Sequence, residues 1–312
     1  MMPTIRMYKK VFLAITSALL ILPVLVAHAQ DKDDDDDDTP VFHAPTLKPG
    51  EKAPDADFAC PYVKGYQRPQ RFADFALRLV PGTQSPDDRC RATVTSAKGK
   101  AVTAARDWAL TVNKISGADI NGDGKAELVI NGYSGGGACC FTYTIVGLGE
   151  GARVLRKIES RSPLAFEKQA DGSVLIHGLD STLDYFLVPH TMAVIPQVFL
   201  KMQGDNLVDV SSQFQAQYDH LIEAARAQLT SADIETFRQS RYNDKMFTDQ
   251  LQTVQRVLII VLNYLYSGRE EQAWNALEEF WPASDHNRVK GLILERRERG
   301  LLKQLNAPTP AL

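Results

Sequence analysis

The sequence predicts two structurally different regions: an antiparallel β-blade meander, partial and propeller-like, followed by a C-terminal region of α-helical hairpins. Three observations predict this fold class. Short β-type segments recur between residues 75 and 158, and clusters of Gly, Asp, Asn or Ser separate nearly all of them. A strand–turn–strand theme returns 48 residues later, with Asp171 and Gly172 in the places of Asp123 and Gly124. After Ser212 the apolar residues recur at helical spacing instead.

The N-terminal segment, residues 1–29, has the order of a secretory signal peptide. Three cationic residues precede an apolar run over residues 11–26, and the small residues of "AHA" follow it. The run contains Pro23 and falls short of the roughly 20 residues that a spanning helix needs, so an uncleaved anchor is the weaker interpretation. We therefore expect an exported protein, periplasmic or extracellular, with no transmembrane segment after signal removal.

Residues 30–71 are predicted to be a disordered acidic tail and an extended lead-in. The tail, "DKDDDDDDTP", has no apolar residue with which to fold, and the lead-in is rich in Pro, Gly and charge. The whole chain has a formal charge of −3. The signal contributes three positive charges, and the tail contributes seven aspartates and one lysine, so the rest of the chain is near neutral. A nucleic-acid partner is disfavoured because no excess of Lys and Arg exists to displace counterions.

Four cysteines form an even set, which in an exported chain favours disulfides over a zinc site or free thiols. Three pairings are possible. The preferred one joins Cys60 to Cys90 and Cys139 to its neighbour Cys140. The competing pairings take one of the adjacent cysteines to each upstream cysteine, since neighbours on a regular strand point to opposite faces.

The β region is predicted over residues 72–212. Its β-type segments cover residues 75–80, 92–96, 109–115, 127–131, 141–146 and 154–158. The repeat of the strand–turn–strand theme predicts a strand, a turn at Asp171 and Gly172, another strand and then an aromatic strand in "LDYFLVPH". The segment "QVFLKMQGDNLVDVS" adds one more pair of strands. About three blade-sized units result, fewer than the four to eight that close a propeller. Other parts of the chain must therefore cover the sheet edges.

The helical region is predicted over residues 213–306, with a tail at 307–312, and is the candidate for that cover. Helical spacing begins near Leu221, and further helices are expected over residues 233–241 and 247–266. Another is expected within "SGREEQAWNALEEFWP", between the Ser-Gly break and the Pro stop, and a last one carries Val289 to Leu302. The apolar stretch "VLIIVLNYL" is too short to span a bilayer and is interpreted as a buried core helix.

The stretch "DINGDGKAE" has the spacing of a loop that wraps a hard cation. Asp119, Asn121 and Asp123 present an oxygen at every second position, Lys125 can offer its backbone carbonyl, and Glu127 adds a carboxylate. Ca²⁺ suits such a loop better than Mg²⁺, because it accepts six to eight oxygen ligands in forgiving geometry. The alternative is an ion-free turn whose Asp and Asn side chains bond to their own backbone.

The loop lacks the helices and the twelfth-position glutamate of an EF-hand, since that position is Ile130 within a strand-like run. It resembles the loops between blade strands of integrin-α-type repeats, the FG-GAP or VCBS family of many exported bacterial proteins, and the following "GYSGGGACCF" resembles an extension found in an uncharacterised subset. The resemblance covers 23 residues closely and the blade pattern of about half the chain. It implies a calcium loop closing a β-blade, with the five residues named above as ligands. Our first hypothesis for the function is a non-enzymatic exported module that serves adhesion, envelope organisation or recognition of a protein or glycan at the cell envelope. The second Asp-Gly turn, at Asp171 and Gly172, lacks this series of oxygen side chains at every second position (the oxygen ladder), so no metal is expected there.

The rival interpretation is a secreted serine hydrolase. Residues 132–136, "GYSGG", fit the nucleophile-elbow pattern around Ser134, and Asp180, Asp184 and His190 follow in the required order. That mechanism needs a helix directly after the serine, whereas "CCFTYTIV" is β-branched and aromatic. A strand at this place would favour the binding module, and a helix would favour the enzyme.

Overall fold

The computed structural model describes residue 60 and residues 69–83, 85–136, 139–240 and 249–306. All of these belong to one structural unit, Phe42–Leu312. The predicted signal peptide, the acidic tail, most of the lead-in and the C-terminal tail lie outside the described residues.

Twelve strands form three antiparallel sheets in the described part of the chain, and each sheet is a meander of four consecutive strands. Sheet 1 contains β1 (Gln70–Phe72), β2 (Phe75–Pro81), β3 (Cys90–Ser96) and β4 (Ala101–Asp107). Sheet 2 contains β5 (Ala109–Val112), β6 (Glu127–Gly136), β7 (Cys139–Leu148) and β8 (Ala152–Ser160). Sheet 3 contains β9 (Leu164–Lys168), β10 (Val174–Leu179), β11 (Gln197–Gln203) and β12 (Asn206–Asp209). The predicted meander of three blade-sized units is confirmed.

The prediction of an aromatic strand in "LDYFLVPH" is wrong. The chain between β10 and β11 instead makes two short 3-10 turns, Ser181–Leu183 and His190–Met192, and β10 pairs directly with β11. The cause is Asp180, whose buried carboxylate accepts hydrogen bonds from the Thr182 hydroxyl at 2.8 Å and the Tyr266 hydroxyl at 3.0 Å. These contacts turn the chain away from the extended course.

Five α-helices follow the sheets in the described part of the chain. They are α1 (Gln215–Ala227), α2 (Ser231–Arg238), α3 (Leu251–Tyr266), α4 (Glu270–Phe280) and α5 (His286–Arg297). The apolar stretch forms most of α3, whose side chains from Val254 to Tyr266 are largely buried, as predicted for a core helix. Within the described residues, no helix combines the length and apolar character that crossing a membrane requires.

Sheet 2 is a central layer because both of its faces are buried. On β6, Leu128 and Ile130 join a core with sheet 1, whereas Val129 between them joins a larger core with sheet 3 and the helices. This follows from the alternation of side chains along a strand, applied to the continuous apolar run "LVI". The residue just before that run, Glu127, is consequently carried into the interior.

A C-terminal 3-10 helix, Leu301–Asn306, covers two sheet edges. It contacts β8, the edge strand of sheet 2, and β12, the edge strand of sheet 3. The Gln304 amide accepts from the Glu159 backbone N–H at 2.8 Å and donates to the Glu159 carbonyl at 2.6 Å, as a neighbouring strand would. The expectation that the C-terminal region covers the open edges is confirmed for these two strands.

The Cys60–Cys90 disulfide is present, with the two Cα atoms 5.9 Å apart. Cys60 forms a β-bridge with Leu110, so the disulfide fixes residue 60 between sheet 1 and sheet 2. This confirms one half of the preferred pairing and excludes the alternatives that take Cys60 to Cys139 or Cys140. The Cys139 side chain lies outside the described residues, and its pairing with Cys140 stays a prediction.

Candidate metal centre

The predicted calcium loop lies between β5 and β6, and its two ends are held side by side. The Glu127 backbone N–H donates to the Ala118 carbonyl at 2.9 Å, and Gly117 N–H donates to the Glu127 carbonyl at 2.8 Å. At its centre, the Asn121 carbonyl accepts from Gly204 N–H at 2.9 Å, which joins the loop to the turn between β11 and β12. The loop therefore connects sheets 2 and 3.

Asp119 organises the tip of the loop by accepting hydrogen bonds from backbone N–H groups. Its Oδ1 accepts from Gly122 at 2.7 Å and its Oδ2 accepts from Gly124 at 2.9 Å. Both glycines have left-handed backbones, with φ of +81° and +80°. Residues with a Cβ rarely adopt this conformation, so the two glycines let the chain wrap around one carboxylate.

Asn121 and Asp123 continue the pattern with a bond of the same kind at each step. Asn121 Oδ1 accepts from Asp123 N–H at 3.0 Å, and Asp123 Oδ1 accepts from Lys125 N–H at 2.9 Å. The oxygen ladder predicted from the sequence therefore exists as consecutive side-chain-to-backbone turns. No group of three or more His, Cys, Asp or Glu side chains converges as a metal site within the described residues.

Glu127 differs from the other loop carboxylates because it is buried, with 1% of its surface exposed. Its Oε2 accepts from Ile120 N–H at 2.7 Å, and the Asn121 backbone N–H also favours the ionised carboxyl, whereas the buried Oε1 makes no hydrogen bond of normal geometry among the described residues. Burial, and to a lesser extent the negative charges of Asp123 and Asp119, raises the pKa of Glu127 to about 7. A buried carboxylate oxygen without a partner is energetically costly unless a proton or a cation compensates it.

The donor set fits a hard divalent cation. The loop offers side-chain oxygens from Asp119, Asn121, Asp123 and Glu127. The unpartnered Oε1 belongs to Glu127, a carboxylate whose charge interacts with those of Asp119 and Asp123. Oxygen ligands in a glycine-hinged loop suit Ca²⁺, which tolerates irregular coordination. In the geometry described, Asp119 and Asp123 bind backbone N–H groups, so holding an ion would require them to exchange some of these bonds for metal contacts.

The residues of the rival hydrolase hypothesis are not brought together. Ser134 lies on β6, and the next element is the strand β7, which begins at Cys139. His190 pairs with Asp184 at 2.8 Å on the surface, and Asp180 is buried against Tyr266. Ser134 instead lines a cleft in which no histidine is found among the described lining residues.

That cleft was not predicted from the sequence. It has a volume of about 610 Å³, and its described lining comes from β4, from Ser134 on β6, from Cys140 and Thr142 on β7, from β8 and from the C-terminal segment. Arg106, Asp107, Glu159 and Arg161 are among its lining residues. These come from distant parts of the chain, and no local spacing relates them.

No family model, curated protein or solved structure matches this chain. The resemblance to integrin-α-type repeats therefore stays a prediction from the 23-residue motif and the blade pattern.

Proposed function

We propose that this protein is an exported, non-enzymatic binding module whose β region is stabilised by Ca²⁺ in the loop of residues 119–127, and which recognises a protein or glycan at the cell envelope. The observation that carries the calcium proposal is the buried Glu127 Oε1 without a partner among the described residues, next to two further carboxylates. The Cys60–Cys90 disulfide agrees with export to an oxidising compartment.

Asp119, Asn121, Asp123, the Lys125 carbonyl and Glu127 would hold the ion. The bound cation would supply positive charge that compensates the neighbouring carboxylates. Glu127 is the first residue of β6, and the loop is bonded to the β11–β12 turn through Asn121. Binding at this place would therefore stabilise the junction of sheets 2 and 3, which is a structural role.

Calorimetric titration with CaCl₂, together with melting curves in chelator and in Ca²⁺, tests this proposal. We expect one site with a dissociation constant of roughly 10⁻⁴ to 10⁻³ M, the range of extracellular calcium modules, and a higher melting temperature with Ca²⁺. Asp119→Asn should lose both effects. The matched control is Asp171→Asn, because Asp171 caps a second Asp-Gly turn through Ser173 and lacks the ladder. Absence of heat and of a melting shift in the wild type would overturn the proposal.

The strand that follows Ser134 supports the non-enzymatic role. An elbow serine relies on a following helix and a nearby histidine, and the described cleft residues around Ser134 include neither. Incubation with a fluorophosphonate probe should leave Ser134 unlabelled under conditions that label a control serine hydrolase. Labelling at Ser134 that a Ser134→Ala variant abolishes would reverse the assignment.

A further inference from the structure

The cleft that Ser134 lines has a fixed shape because its C-terminal wall is bonded to an edge strand. Gln304 bonds to both backbone groups of Glu159, at 2.8 and 2.6 Å. Arg156, which is 3% exposed, donates to the carbonyl oxygens of Gln304 and Leu305 on the same wall. The cleft volume of about 610 Å³ lies within the range of small-molecule sites.

Two arginines line the cleft with side chains that form neither a hydrogen bond nor an ion pair in the described part of the chain. They are Arg106, on β4, and Arg161, just after β8, and both are exposed; Arg106 also interacts electrostatically with Asp88. Arg106 also lies directly opposite Arg91 on β3, whose guanidinium is bound by Asp88. Like charges opposite one another on neighbouring strands repel, and Asp88, which interacts with both arginines, offsets part of this repulsion.

The floor of the cleft offers hydrogen-bond acceptors. Asp107 is 7% exposed; its Oδ2 accepts from the Thr142 hydroxyl and its Oδ1 from Trp108 N–H, both at 2.8 Å. Gly132 makes this floor possible, because a Cβ there would lie 2.1 Å from Thr142 Oγ1 and 2.4 Å from Asp107 Oδ2. Glu159 lies on the wall, where it pairs with Lys157 at 2.8 Å.

This mixture of charges selects a class of ligand. The described lining has five cationic side chains and three carboxylates, so it attracts anions. A simple inorganic anion would use the arginines but would leave the acceptor oxygens of Asp107 and Glu159 unused. A neutral sugar would use the acceptors and leave the two guanidinium groups unpaired. A molecule that carries both hydroxyl groups and an anionic group satisfies both sets.

We propose that this cleft binds an acidic saccharide, whose anionic group pairs with Arg106 and Arg161 and whose hydroxyl groups donate to the carboxylates of the floor and wall. This deepens the proposed function, on whose binding role it rests, by naming glycan as the ligand class and the cleft as its site. Charge-assisted bonds to guanidinium favour carboxylate or sulfate groups, and Arg can bind such groups with two parallel hydrogen bonds.

Calorimetry with trigalacturonate, a hyaluronan tetrasaccharide and sialyllactose tests the proposal on the full chain. At least one should bind to the wild type, and binding should weaken as NaCl is raised. Arg106→Gln/Arg161→Gln should weaken it by about tenfold or more. The charge-matched control Arg71→Gln/Arg78→Gln, which changes two exposed arginines outside the described cleft lining, should bind as the wild type does. Melting curves establish that both variants are folded.

Several results would overturn the proposal. They are no binding of any of the three saccharides, equal binding by both double variants, or equal binding of a neutral galactose trisaccharide. Inorganic phosphate or hexaglutamate binding as tightly as the best saccharide would also overturn it, because neither carries sugar hydroxyl groups. Ca²⁺ titration separates this test from that of the proposed function: the Arg106→Gln/Arg161→Gln variant should bind Ca²⁺ normally, and Asp119→Asn should keep its saccharide binding.

Discussion

Glu127→Gln should stabilise the protein strongly in chelator, and its advantage over the wild type should become smaller when Ca²⁺ is present. The substitution removes the buried charge and keeps an oxygen that can accept from Ile120 N–H. Raising the pKa of Glu127 from 4.5 to about 7 corresponds to about 3 kcal/mol when the group is ionised in the folded protein. In chelator at pH 8, Glu127→Gln should therefore be more stable than the wild type, by up to that amount.

The pH dependence of the wild type has a defined sign. The unfolded chain ionises Glu127 near pH 4.5, whereas the metal-free folded protein keeps it protonated up to about pH 7. Its contribution to the free energy of unfolding is thus fully present below pH 4.5 and is lost as the pH rises through 7. Glu127→Gln should lack this loss, so the variant and the wild type should have similar stability at pH 4.5.

Urea unfolding measured in chelator and in Ca²⁺ checks this reasoning. At pH 8, Ca²⁺ at ten times its dissociation constant should stabilise the wild type by about 1.4 kcal/mol and Glu127→Gln hardly at all. Glu223→Gln, on the exposed face of α1, is the control and should follow the wild type in every condition. If Glu127→Gln were destabilised equally in chelator and in Ca²⁺, Glu127 would be an ordinary hydrogen-bond acceptor and the reasoning would be refuted.

Three further substitutions test the packing around the sites, each by urea unfolding. Gly132→Ala should lower the free energy of unfolding by about 1–3 kcal/mol, because the added Cβ would overlap two side chains. The control Gly151→Ala has open space around it and should leave the stability unchanged. Equal effects of the two substitutions would contradict the cleft geometry. Replacing Cys60 and Cys90 by Ala removes a link across 30 residues and should cost about 3.5 kcal/mol; unchanged stability would argue against the disulfide. Thr230→Ala breaks the capping box of α2 and should cost about 1 kcal/mol, and no loss would mean that this cap is not formed in solution.

The fold was largely predictable because its signals are local. Glycine and polar clusters separate the strands, and the helices show clear apolar periodicity. β1 and β4 were not predicted, since β1 has three residues and β4 buries only two of its seven. The prediction of an aromatic strand failed because it depends on a tertiary contact. Asp180 is hydrogen-bonded to Tyr266 on α3, and nothing within "LDYFLVPH" reveals that contact.

The candidate site was predictable in part for the same reason. The spacing of Asp119, Asn121 and Asp123 indicates a turn that wraps around oxygen side chains, and the structure contains that turn. The burial of Glu127 could not be read from the sequence, because it depends on sheet 2 being covered on both faces. The cleft depends on Arg106 and Arg161 reaching the same space from β4 and from beyond β8. Only tertiary structure supplies that relation.

A crystal structure of the protein grown with millimolar CaCl₂ tests the central claim most directly. The account predicts an ion bound within residues 119–127, with Glu127 Oε1 among its ligands and the Asp119 carboxylate turned from the glycine N–H groups toward the metal. A well-ordered loop that keeps Asp119 bonded to Gly122 and Gly124, with no ion beside Glu127, would contradict it.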